Sequence, residues 1–106
     1  MSNWIAFDDG RSIGKVSAEG GVILRDEANK RGARITLKKG STYISVSCHL
    51  YGWMDHTRFF NTVAEAQREF VLMRASMGSI IDNVLTPGAK DIKVWEEVSN
   101  FVRRFP

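Results

Sequence analysis

Residues 33–50 read ARITLKKGSTYISVSCHL, and this stretch decides the fold. Ala33-Arg34-Ile35-Thr36-Leu37-Lys38 alternates apolar with polar side chains without a fault, the pattern of a strand buried on one face. Tyr43 to Leu50 repeats it, with Ile44, Val46, Cys48 and Leu50 on one side and Tyr43, Ser45, Ser47 and His49 on the other. Between the runs, Lys39-Gly40 suits a tight hairpin turn because glycine accepts positive φ. With Lys38 facing Ser41, Ile35 pairs with Ile44 and Ala33 with Val46, and every apolar residue falls on one face.

The same alternation extends outward from this hairpin. Val22 to Glu27 reads as a strand that reaches Ala33 through Asn29-Lys30-Arg31-Gly32, and Ile13 to Ser17 as an earlier one turning at Glu19-Gly20-Gly21. Trp53 to Phe60 returns after a turn near Gly52. Connections this short favour antiparallel pairing, since parallel strands need long crossovers.

Beyond residue 61 the apolar period becomes helical. Thr62-Val63-Ala64-Glu65 is a capping-box pattern, in which the hydroxyl accepts from the Glu65 amide. Val63, Ala66, Phe70, Met73, Met77, Ile80 and Val84 then form a stripe that ends before Pro87. A second helix is expected from Asp91, with Ile92, Trp95, Val98, Val102 and Phe105 as its stripe. Its acids Glu96 and Glu97 come early and its bases Arg103 and Arg104 late, as the helix dipole prefers. The expected architecture is α+β, in one domain spanning residues 1–106. It comprises an antiparallel meander of about five strands over 11–60, a long helix over 62–85 packed on one face, and a shorter terminal helix over 91–105.

Composition narrows the class. The 106 residues are 43% hydrophobic and 25% charged with a formal net charge of +3, which excludes disordered, collagenous and low-complexity chains. One cysteine, Cys48, excludes an intrachain disulfide and a cysteine-based zinc cluster. The N-terminal MSNWIAFDDGR carries Asp8 and Asp9 and no long apolar run, so neither a secretory signal nor a membrane anchor is expected. No apolar run is longer than Phe70 to Met73, which Trp4 to Phe7 equals, far below the ~20 residues a bilayer requires. A lone thiol without an export signal points to the cytoplasm.

Three groups of residues are candidates for binding. If Tyr51 faces Met54, His49 lies opposite His56, close enough to share a metal or titrate together, although two ligands fall short of the four zinc prefers. A solvent-facing polar pair is the simpler reading. The second group is the polar face of the sheet. Residues 25–39 hold six bases and two acids, a local +4 that leaves −1 for the rest of the chain. Arg34, Lys38 and Arg58 interleaved with Tyr43 and Phe60 offer cations for phosphates and rings for bases, as single-stranded nucleic-acid binders do. The plainer reading is a solvated basic face that discourages strand aggregation, with Glu27 neutralising Arg34. The third group is Tyr51, Trp53 and Trp95, aromatic residues of the type that anchor protein partners.

At the level of architecture, over roughly residues 11–85, a curved antiparallel sheet followed by a helix resembles the Whirly and transcription-coactivator families of single-stranded DNA binders. The resemblance includes no motif that matches residue by residue, so it carries over no functional positions.

Catalysis has less support. The chain holds no nucleophile elbow, zinc-protease, P-loop or Rossmann glycine pattern, and Cys48 falls on the core face, so no cofactor and no reaction are assigned. The expected function is therefore a non-catalytic binding or protein-interaction module, with single-stranded nucleic-acid binding as the alternative. The apolar surface of the terminal helix predicts a homodimer.

Overall fold

A computed structural model describes residues 3–106; Met1 and Ser2, included in the expected domain and N-terminal reading, lie outside the described residues. Strands β1 (Trp4–Ala6), β2 (Val22–Asn29), β3 (Ala33–Lys39), β4 (Ile44–Leu50) and β5 (Met54–Phe60) precede helices α1 (Val63–Asn83) and α2 (Asp91–Arg104). The strands form one antiparallel sheet in the order β1-β2-β3-β4-β5. The fold is α+β, as the alternation and the helical stripe imply.

One face of the sheet is covered and the other is polar. Ile35, Leu37, Val46 and Cys48 are fully buried against Phe70, Met73, Met77 and Ile81 of α1. Burying each of these large side chains contributes roughly 1.5–3 kcal/mol, which fixes the helix on this face. The Thr62 hydroxyl accepts a hydrogen bond from the Glu65 amide at 3.1 Å, so the anticipated N-cap is formed. At the β2 margin an ionic net ties helix to sheet. Glu27 accepts from Arg25 at 2.8 Å and from Arg74 of α1 at 2.6 Å, while Arg25 lies over the Phe70 ring.

The first strand differs from the sequence reading. Ile13 to Ser17 forms turns with an isolated bridge, Val16 to Val22, and the first strand of the sheet is instead Trp4–Ala6, paired with β2. Three residues are too few to display alternation. A bulge at Leu24 then shifts the β2 register, so that Ile23 pairs with Lys38 on the polar face while Arg25 pairs with Leu37 on the covered face.

Both hairpins are longer than the spacing suggests. The β3–β4 connection is a four-residue loop, Gly40 to Tyr43, closed by the Gly40 amide to the Tyr43 carbonyl at 2.8 Å. Ile35 therefore pairs with Cys48 and Ala33 with Leu50, not with Ile44 and Val46. The register moves by an even number, so the faces are preserved. Gly40 is required for close approach rather than for positive φ, because a Cβ there would run into the Tyr43 ring.

The β4–β5 connection has three residues, Tyr51 to Trp53, instead of two, with Gly52 at φ 79°. One extra residue reverses the strand that follows. Met54, His56, Arg58 and Phe60 turn to the covered side opposite Leu50, Cys48, Val46 and Ile44, and Asp55, Thr57 and Phe59 turn to the polar side. Met54 and Phe60 join the core, and the two basic side chains find partners at the sheet margin.

Helix α2 is also rotated relative to the expected stripe. Val94, Val98, Phe101 and Phe105 are buried, whereas Ile92, Trp95 and Val102 are exposed. Val98 and Phe105 are common to both readings.

The packing predicts that Phe70→Ala lowers unfolding free energy by about 3–5 kcal/mol and Thr62→Ala by about 1 kcal/mol. Urea titration followed by circular dichroism measures both. An effect under 1 kcal/mol for Phe70→Ala would be incompatible with this core.

Candidate interaction surfaces

The structure brings two of the three aromatic anchors together. Trp53, at the end of the β4–β5 loop, meets Trp95 of α2 edge to face with ring centroids 4.9 Å apart. Edge-to-face contact orients both rings and leaves each with solvent-facing surface. Trp95 remains 47% exposed and neighbouring Ile92 70% exposed, while Tyr51 at the loop tip is 79% exposed and makes no ring contact. A shallow groove of about 330 Å³ runs along the outward face of α2, lined by Ile92, Trp95, Glu96, Ser99, Asn100 and Arg103.

The polar face of the sheet is a second surface. β3 contributes Arg34, Thr36 and Lys38; β4 contributes Ser45, Ser47 and His49; β5 contributes Asp55, Thr57 and Phe59. The segment between β1 and β2 lies along one side of this array. Its Gly14 amide bonds the Ile23 carbonyl at 2.8 Å and its Lys15 carbonyl accepts from the Ile23 amide at 3.0 Å, so the face is walled and not fully open. Between the wall and β5 runs a groove of about 740 Å³.

The charges on this face are largely paired. Asp26, whose side chain is fully buried, accepts from Arg34 Nε at 3.0 Å and Nη2 at 2.8 Å, and from the Thr36 hydroxyl at 3.0 Å. The guanidinium also stacks on the Phe7 ring at 3.5 Å. Glu27, the expected partner of Arg34, instead faces α1 because it lies one residue further along the strand. Among the described residues the carboxylate paired with the Lys38 ammonium is that of Glu19, at 3.6 Å.

The predicted nucleic-acid residues are divided between the two faces. Arg34 and Lys38 line the groove, but Arg58 and Phe60 sit on the covered side as a consequence of the three-residue turn. Arg58 is bound to Glu69 of α1 at 2.7 Å and lies over the Phe60 and Phe105 rings. Tyr43 packs against Gly40 and Gly21 and meets Phe59 edge-on, outside the groove. Phe59, which the sequence reading did not select, is the exposed aromatic on the polar face.

The histidines are separated by the same reversal. His49 is on the polar face opposite Asp55, whereas His56 is on the covered side opposite Cys48. His56 Nε2 donates to the Phe105 carbonyl at 2.6 Å, which fastens the end of α2 to β5. The two imidazoles do not form a site. Among the described residues no group of three His, Cys, Asp or Glu side chains is arranged to hold a metal ion.

Cys48 is fully buried, and that burial pushes its thiol up to about 12 against an opposing pull from Arg58. The thiol is therefore protonated and shielded at neutral pH, the reverse of an activated nucleophile. Among the described residues no helix is long and apolar enough to cross a membrane. Compared with protein-family models, curated proteins and solved structures, the chain matches none of them.

The Cys48 environment predicts the pH dependence of stability. The folded value lies above the ordinary thiol value of 9.0, so the stabilising contribution is complete below pH 9 and is lost as pH rises toward 12. Chemical denaturation at several pH values should show a smaller alkaline decline for Cys48→Val than for the parent chain. The native thiol should also resist iodoacetamide at pH 8 and become reactive in urea; rapid native labelling would contradict its burial.

Proposed function

We propose that this chain is a non-catalytic protein-interaction domain, cytoplasmic and working as a single unit, that self-associates through the outward face of α2. The observation that carries the reading is the second apolar stripe of that helix. Val94, Val98 and Phe101 already fill the core, yet Ile92, Trp95 and Val102 remain exposed, with Trp53 bracing Trp95 from the neighbouring loop. Exposed tryptophan held in place by a second ring is the composition of an interface anchor.

Charge complementarity favours a second copy as the occupant. Glu96 and Arg103 are seven residues apart in the sequence, about two helical turns, and so project from the same face of α2. An antiparallel pairing about a twofold axis near Ser99 and Asn100 sets each Glu96 against Arg103 of the other copy. It is an isologous contact, with small residues where the helices approach most closely. The protonated, buried state of Cys48 supports the non-catalytic part of the reading, and one reduced thiol fits a reducing compartment.

Sedimentation equilibrium at micromolar concentrations should report twice the monomer mass of 12.0 kDa. Trp95→Ala and Glu96→Arg should each weaken the dimer by about tenfold or more, and Glu96→Arg combined with Arg103→Glu should restore it. A monomeric parent at high micromolar concentration, or an unrescued double variant, would overturn this pairing.

A further inference from the structure

We propose that the groove on the polar face of the sheet is a binding site for a small hydroxylated anion of the sugar-phosphate class. The inference is independent of self-association, because it concerns the face opposite the helices.

The anionic part of the ligand follows from Lys38. Its side chain is 9% exposed and lines the groove, yet its ammonium makes no hydrogen bond among the described residues. The nearest carboxylate, Glu19, is 3.6 Å away on a side chain that is itself 86% exposed. An ammonium carries three donors; here the stem is buried while Nζ, ion-paired to Glu19 beyond hydrogen-bond distance, keeps its donors open to the groove for an anion. Arg34 lines the same groove four residues back along β3, with Thr36 between them. Asp26 and Phe7 fix its guanidinium, and among the described residues Nη1 has no acceptor, so one donor group is oriented and unused. Arg34 is neutralised by the buried Asp26, which leaves Lys38 as the net positive charge of the floor, while the acids Glu19 and Asp55 are exposed on the rim, where water screens them.

The hydroxylated part follows from the rest of the lining. Ser47 and Thr57 share one hydrogen bond at 3.0 Å, which engages one hydroxyl proton and leaves the other free. Together with Thr36 and the rim carboxylates, they supply donors and acceptors for several ligand hydroxyls. The volume of about 740 Å³ lies within the range of small-molecule sites. His49 brings one imidazole to the groove but no Phe, Tyr or Trp lines it, so the row of rings on which successive bases of a nucleic-acid strand would stack is missing from it.

The test is an amide chemical-shift titration with ribose 5-phosphate, with ribose and with inorganic phosphate. Ribose 5-phosphate should give saturable shifts centred on residues 34–38, 45–49 and 55–57, with at least about tenfold weaker binding in Lys38→Met. Lys39→Met, on the same strand but pointing to the other face, should bind normally. Glu19→Gln removes the competing carboxylate from an exposed position and should tighten binding about threefold, a readout that survives if Lys38→Met fails to fold. Inorganic phosphate should bind more weakly than the sugar phosphate, and ribose should not saturate. No saturable shift, equal binding of ribose, or an unaltered affinity in Glu19→Gln would overturn the proposal. So would tight, Lys38-dependent binding of oligothymidylate in the absence of any response to ribose 5-phosphate. Failure of the dimer would leave these outcomes unaffected.

Discussion

The rest of the structure depends on one helix covering one face of the sheet. At 21 residues α1 is about 31 Å long, enough to lie across the strands, and its stripe meets the apolar side of β3 and β4. Once that face is occupied, each strand residue has one of two environments. Charged side chains on the covered side survive only at its margins, where α1 supplies partners: Glu27 between Arg25 and Arg74 on β2, Glu69 for Arg58 on β5. Removing such an acid would strand a half-buried cation, which explains why each base is matched. The local +4 of residues 25–39 is therefore carried not by the paired arginines but by Lys30, Arg31, Lys38 and Lys39, of which Lys30, Arg31 and Lys39 are exposed. Arg25 belongs to the helix side, and Arg34 is bound to a buried carboxylate from the same stretch.

What was legible in the sequence was parity, wherever alternation was clean. Ala33 to Lys38 and Ile44 to Leu50 have only one amphipathic reading, so a four-residue error in their register changed neighbours without changing faces. β5 has no such protection. In MDHTRFF one phenylalanine goes inward in either register, and His56 and Arg58 compete with Asp55 and Thr57 for the covered side. The deciding groups are remote in sequence: the Phe105 carbonyl for His56, and Glu69 for Arg58. Those remote partners and the length of the β4–β5 turn together set whether the histidines meet and whether Arg58 and Phe60 join Arg34.

The same limit applies to α2, where two apolar arcs coexist. Ile92, Trp95 and Val102 lie on one, Val94 and Phe101 on the other, and Val98 with Phe105 is compatible with both. Helical periodicity shows that a stripe exists but cannot choose between stripes when both are apolar. Contact with β5 and α1 makes that choice. The candidate aromatic surface was accordingly legible as a set of residue types, while the pairing of Trp53 with Trp95 required the fold.

The two proposed surfaces are separated by the sheet itself. α2 lies on the covered side, held to β5 by the His56 bond and by Arg58 Nε to the Pro106 carbonyl at 3.2 Å, whereas the groove opens on the polar side. Self-association through α2 therefore leaves Lys38 accessible, and a ligand on Lys38 touches none of the residues that would join two copies. Coupling between the sites would have to pass through β4 and β5, whose alternate side chains face opposite ways: His49 and Asp55 toward the groove, Cys48 and His56 toward the core. The core side of that path is closely packed, with Val46, Cys48 and Leu50 essentially without solvent exposure. Coupling needs an element with two arrangements that the ligands favour differently, and close packing on the core side opposes one. The physical expectation is two independent binding events on a rigid scaffold, with affinity at one surface insensitive to occupancy of the other.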